Sequence, residues 1–203
     1  MASAPLDTRR QILCAALKRF AEQGYAGTSV QEIVDAARVT KPALYYHFKN
    51  KAGLYGALIG WAFEERYRLM QEAVARGGTL AEQLVRICAV SFEFLANNRG
   101  LMRLAFATAF AGRGEVPAEA QCLKRGKRSF EFVHALMKQA VARGDLSRSF
   151  DPEELAMGFV GIMNFHVMAF LIGAEITLNR RTAERLVELF LTGARPAGTI
   201  GPV

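Results

Sequence analysis

The twelve residues TKPALYYHFKNK, 40–51, decide how the chain is read. A threonine followed two residues later by a proline is a helix start. The hydroxyl can cap the first turn, and proline is tolerated where its missing N–H would have no partner anyway. Leu44 and Phe48 stand one turn apart and form an inward stripe. Lys41, Ala43, Tyr46 and His47 then face outward, with Tyr45 beside them. A helix that only filled a core would not need so many polar tips, so this outer face is expected to meet a partner.

Upstream, Val30, Ile33, Val34 and Ala37 are spaced as one helical face, and Ser29 with Glu32 fits a capping box. That short helix is expected to end near Arg38–Val39. A longer helix precedes it, from about Asp7 to Gln23, stopped by Gly24. Two short helices joined by a tight turn, the second polar on one side, form a helix-turn-helix arrangement. Its second helix enters the DNA major groove. Thr28 and Lys51 sit at helix starts, where backbone N–H groups and positive charge suit phosphate. The net charge is +7, and residues 1–53 hold eight Lys/Arg against four Asp/Glu. Positive charge is therefore densest beside this motif, as a polyanionic partner requires.

Downstream the chain again reads as helix. Asn50 caps a helix carrying Leu54, Leu58 and Trp61 to about Arg76. Thr79 and Glu82 make a second capping box, opening a helix to about Asn97. RGLMRLAFATAFAG is a short helix, and 112–117 is a loop. A long helix is expected from Pro117 to Gly144, another from Asp151–Pro152 to Ala174, and a last one from Arg180 to Thr192. The tail 193–203 lacks periodicity and is expected to be flexible. There is no strand run and no internal repeat. The expected fold is all-α with about nine helices: a three-helix DNA-binding domain at 1–53 and a larger helical domain at 54–203.

Residues 155–174 are long enough to span a membrane, but Asn164 and His166 sit mid-segment, where unpaired polar groups are costly in lipid. A buried or interfacial helix is the better reading, and no membrane partner is expected. MASAPLDTRR has no apolar core of a signal peptide. The three cysteines, Cys14, Cys88 and Cys122, form no disulfide framework and no metal pattern, so a cytoplasmic setting with no cofactor and no metal is expected. Twelve of the fourteen phenylalanines lie after residue 53. An apolar pocket between helices is expected, with Trp61, Phe92, Phe106, Phe110, Phe130, His134, Met163 and His166 as its candidate lining.

TSVQEIVDAARVTKPALYYHFKNKAGLY, residues 28–55, preceded by a helix ending FAEQGY, resembles the TetR (tetracycline-repressor) family of bacterial regulators. Thr28, Ile33, Ala37, Leu44, Tyr45, His47, Phe48, Lys51 and Leu54 match the family pattern at fixed spacing. The resemblance covers about the first 55 residues. It implies a dimeric DNA-binding regulator, most simply a repressor released from a palindromic operator by a small apolar or amphipathic effector. DNA contacts are then expected from Thr28, Arg38, Thr40, Lys41, Ala43, Tyr45, Tyr46, His47 and Lys51. The resemblance also implies homodimerisation through the last two long helices. Leu155, Phe159, Ile162, His166 and Ala169 form one stripe there, with Leu186, Leu189 and Phe190 on the last helix, and Gly158 and Gly161 permit close approach. The chain departs from the family at Arg38, where glycine is frequent. At positive φ an arginine would cost on the order of 1 kcal/mol relative to glycine.

Two other classes are weaker. An enzyme using Cys88 or Cys122 with His134 lacks a nucleophile, base and orienting acid at recognisable spacing. A helical ligand carrier that does not act through DNA leaves the basic motif at 28–51 without a purpose. No catalytic residue is assigned.

Overall fold

A computed structural model of the chain describes residues 7–112 and 114–194. Among these the chain forms nine α-helices and one short 3-10 turn, with no strand. The helices are α1 (Thr8–Gly27), α2 (Val30–Ala37), α3 (Lys41–Phe48), α4 (Lys51–Ala75), α5 (Leu80–Asn97), α6 (Arg99–Ala109), α7 (Cys122–Arg143), α8 (Pro152–Leu171) and α9 (Arg180–Ala194). They fall into two compact units. One holds the described residues up to Glu64 together with Asn98–Arg125; the other holds Glu65–Asn97 together with the described residues from Gly126 on.

In the first unit α1 packs on α2, α3 and α6. The sequence signals act as chemistry dictates. Gly24 takes φ 72° and breaks α1. Ser29 Oγ accepts from the Glu32 N–H at 3.2 Å while the Glu32 carboxylate accepts from the Ser29 N–H at 2.7 Å, closing the capping box. α2 ends at Arg38, which adopts the left-handed conformation (φ 55°, ψ 44°). The Arg38 N–H donates to the Asp35 carbonyl at 3.2 Å and the Val39 N–H to the Val34 carbonyl at 3.0 Å. This paired closure usually places glycine where Arg38 stands.

Three expected boundaries shift. The helix foreseen from Pro117 begins at Cys122 instead, because Gln121 turns left-handed (φ 47°) after a 3-10 turn over Ala118–Ala120. That turn lies so close to α4 that a Cβ on Gly56 would stand 2.8 Å from the Glu119 carbonyl oxygen. The helix expected to reach Ala174 ends at Leu171, ahead of Gly173 at φ 96°. At the other end α9 continues through Gly193 and Ala194, two residues of the tail expected to be flexible; 195–203 lie outside the described residues.

In the second unit α5, α8 and α9 pack together. α8 is apolar and long enough to cross a membrane, with a mean hydropathy of 1.5. One face of it, Leu155, Ala156, Phe159, Met163, Val167 and Leu171, is nevertheless buried inside the unit. The Phe159 and Phe190 rings meet at 5.6 Å, and Leu186 is buried beside them on α9. Tyr67 of α4 meets Phe132 of α7 edge-on at 5.8 Å, and the Arg128 guanidinium lies 4.2 Å over the Tyr67 ring.

Arg38→Gly relieves the left-handed strain. It is expected to raise the folding stability by about 1 kcal/mol, read as a higher urea midpoint with an unchanged m-value.

Candidate nucleic-acid interface

The outward side of α3 exists because its inward side is fully committed. Leu44 and Phe48 are buried against the first unit. Thr40 caps the helix, its Oγ1 accepting from the Ala43 N–H at 3.3 Å. At the other end Lys49 takes φ 61° and its N–H donates to the Tyr45 carbonyl at 3.0 Å. Asn50 then starts α4, its Oδ1 accepting from the Gly53 N–H at 2.7 Å. Any side chain on Gly53 would strike the Phe48 carbonyl oxygen, so α4 can begin under the end of α3 only with glycine there.

On the open side Tyr46 is 85% exposed and Tyr45 45% exposed. Lys41 and Thr40 are exposed, while Ala43 and His47 are half-buried. The His47 ring meets Tyr46 edge-on at 5.2 Å. Arg38, exposed at the turn between α2 and α3, adds a second cation, and Arg9 approaches from α1 with its guanidinium 5.4 Å from the Phe48 ring centre. The face thus offers two phenols, two free-standing cations and a cap hydroxyl on a short rigid helix. Those groups suit phosphates, sugars and base edges.

Two residues expected at this interface have other work. The Thr28 side chain is buried, and its hydroxyl donates to the Gly24 carbonyl at 2.8 Å. The Lys51 ammonium donates to the carbonyls of Tyr25 and Thr28, both at 2.9 Å, and lies 4.3 Å over the Tyr25 ring. Both groups stitch the end of α1 to the starts of α2 and α4 instead of reaching outward. Tyr25 and Gly53 carry this arrangement and were not singled out from the sequence. The tyrosine of FAEQGY and the glycine of KAG were the available signals.

The expected pocket residues do not converge in one place. Phe92 and Met163 are core residues of the second unit. There too Phe130 stacks on His134 at 6.4 Å, and His166 donates through Nδ1 to the Ile162 carbonyl at 2.9 Å. Trp61 is half-exposed, Phe106 half-buried and Phe110 78% exposed in the first unit. That unit has a cleft of about 470 Å³ lined by Phe20, Tyr25, Tyr55, Arg103, Thr108 and neighbours, none of them an expected pocket residue. At its floor the Tyr55 and Thr108 hydroxyls share a 2.7 Å hydrogen bond, and burial raises the Tyr55 pKa.

A helix-turn-helix whose second helix is basic and aromatic on its open side has the shape that enters a DNA major groove. Residues 12–58 match the family of bacterial regulatory proteins described as tetR. It is 44% identical over 59 residues to the transcriptional regulator AcrR of Shigella flexneri, covering 29% of this chain and 26% of that one. It is 30% identical over 116 residues to the transcriptional activator FasR of Mycolicibacterium smegmatis, covering 57% and 53%. The chain thus spans about a quarter to a half of the length of these curated relatives. Among solved structures, the regulator FadR of Bacillus subtilis in complex with stearoyl-CoA superposes with a TM-score of 0.76 at 21% identity, over 92% of this chain and 99% of that one. This last likeness concerns the fold.

Lys51→Met is expected to cost about 1–2 kcal/mol of stability, the scale of a partly exposed charged hydrogen-bond pair. The salt dependence of duplex binding should stay unchanged, as measured by fluorescence anisotropy across a salt series.

Proposed function

We propose that the protein is a sequence-specific transcriptional regulator, a homodimer that represses from a palindromic operator and is released by a small apolar or amphipathic effector. The observation that carries this reading is the outward face of α3, with Tyr46 and Lys41 standing free while every inward group is spent on packing and caps. Residues 1–53 bind DNA in this reading, and 54–203 bind the effector and dimerise. The protein acts in the cytoplasm. The relatives include both a regulator described only as such and an activator, so the sign of control rests on our reading of release. FadR, the structural likeness, holds an acyl-CoA, which supports an amphipathic effector here. A genomic binding profile of the purified protein tests the whole proposal. Enrichment of a short inverted repeat supports it, and binding without sequence preference refutes it.

The dimer surface needs a correction to the sequence expectation. Phe159 is 0% exposed, and Leu155, Leu186 and Phe190 are also buried in their own unit; Ile162 is half-buried. A side chain already enclosed cannot meet a partner. The apolar groups that α8 and α9 leave open are Met157, Phe165 and Ile172 near one and Leu189 on the other, with Phe165 63% and Leu189 67% exposed. Gly158 and Gly161, exposed on α8, leave room for close approach. We assign the dimer contact to this second stripe.

On the DNA side, Lys41→Ala should lower the salt slope of duplex binding by about 0.9, the loss of one phosphate contact. Tyr46→Ala should instead reduce the preference for operator over random duplex; equal loss on both would make Tyr46 a backbone anchor only. On the dimer side, Phe165→Arg or Leu189→Arg should yield a folded monomer by light scattering, because an unpaired charge at a buried contact is strongly unfavourable. A persistent dimer in both variants would move the contact elsewhere.

A further inference from the structure

The cleft of about 470 Å³ in the first unit has no part in the DNA-binding reading. Every residue that lines it belongs to that unit, so it lies within one compact body. Its volume is in the range of small-ligand sites. One wall is α1, through Phe20, Ala21, Gly24 and Tyr25; the other is α6, from Gly100 to Thr108, with the segment after it. Glycine keeps both walls open: a Cβ on Gly24 or Gly100 would meet nothing within 4 Å.

The inner surface is aromatic. The Phe20, Tyr25 and Tyr55 rings form a cluster with centroids 6.0, 4.9 and 5.1 Å apart, and all three line the cleft. Such a cluster accepts a further ring, stacked or edge-on. Polar capacity sits at the two ends. At the floor the Thr108 hydroxyl donates to the Leu104 carbonyl at 2.6 Å, so in the 2.7 Å bond between Tyr55 and Thr108 the phenol is the donor. Both hydroxyl protons are committed, and what the two oxygens still offer is acceptance. At the open edge Arg103 is exposed and, among the described residues, has no hydrogen bond or ion pair. It is the one cation of the lining. The one acid, Glu115, has its carboxylate accepting from the Gly112 N–H at 2.8 Å. The cleft therefore calls for a hydrogen-bond donor at its inner end, a ring in the middle and an anion at its mouth.

We propose that this cleft binds a hydroxylated aromatic acid. Its carboxylate pairs with Arg103, its ring lies among Phe20, Tyr25 and Tyr55, and its phenolic hydroxyl donates to the oxygens of Tyr55 and Thr108. The site adds to the effector reading above and does not rest on it: Phe20 and Tyr25 lie outside the region 54–203 assigned to the effector. Its place also gives it a route to DNA. Lys51 holds the Tyr25 carbonyl, so a ligand pressed on Tyr25 bears on the corner from which α2 starts.

The test titrates the full chain calorimetrically with 4-hydroxybenzoate and 4-hydroxycinnamate, two lengths of the same class. Their methyl esters, their 4-methoxy analogues and tyramine are the comparisons. At least one of the two acids should bind about tenfold tighter than its ester and about threefold tighter than its methoxy analogue, the ranges of a charge-assisted and a neutral hydrogen bond. Arg103→Met should remove the advantage over the ester. The double variant Tyr55→Phe, Thr108→Val should remove the advantage over the methoxy analogue, since it takes away both acceptors and keeps the shape. Ala107→Trp, at an exposed position of α6 on the cleft wall, should abolish binding while circular dichroism stays unchanged. No binding of either acid, equal affinity for acid and ester, tighter binding of tyramine, or binding that survives Ala107→Trp overturns the proposal. If the acid binds here and operator affinity does not change, the site stands and takes no part in release.

Discussion

The Lys51 ammonium holds the helix-turn-helix in register. It bridges the carbonyls of Tyr25 and Thr28 across 26 and 23 residues of sequence and rests on the Tyr25 ring. Those two carbonyls belong to the segment between the break in α1 and the start of α2. Lys51 itself is the first residue of α4. One side chain therefore fixes where α1 stops, where α2 starts and where α4 departs, and α3 is strung between the last two. The Thr28 hydroxyl turns back to Gly24 and closes the same corner. The recognition helix needs this support because eight residues are too few to be stable alone in water. Its angle is set by anchors at its two ends, the Thr40 cap and the glycine at position 53 on which α4 passes.

Much of this was legible beforehand, because caps and stripes are local. Ser29 with Glu32, Thr79 with Glu82, and Asp151 with Glu154 place helix starts through contacts three residues apart, and all three form. The strain at Arg38 was legible for the same reason: a tight turn at that position needs a left-handed residue whatever its identity. The roles of Thr28 and Lys51 were not. A polar side chain at a helix start can serve a phosphate or a distant backbone carbonyl equally well, and only the folded chain shows that Tyr25 lies within reach. Gln121 likewise has no sequence mark for its left-handed conformation, so the start of α7 moved.

Much of the stripe expected at the dimer contact, though not Leu189, is enclosed in its own unit, and for a different physical reason. α8 is apolar nearly all round, with Phe159 and Met163 on one side and Met157 and Phe165 on another. Periodicity can show that a helix has an apolar face. When two faces are apolar, it cannot tell which one its own chain covers. The larger set, Leu155, Phe159, Val167 and Leu171, turned out to be the one closed by α5 and α9. The expected pocket lining suffered similarly, since Phe110 and Phe92 have the same hydrophobicity but opposite exposure.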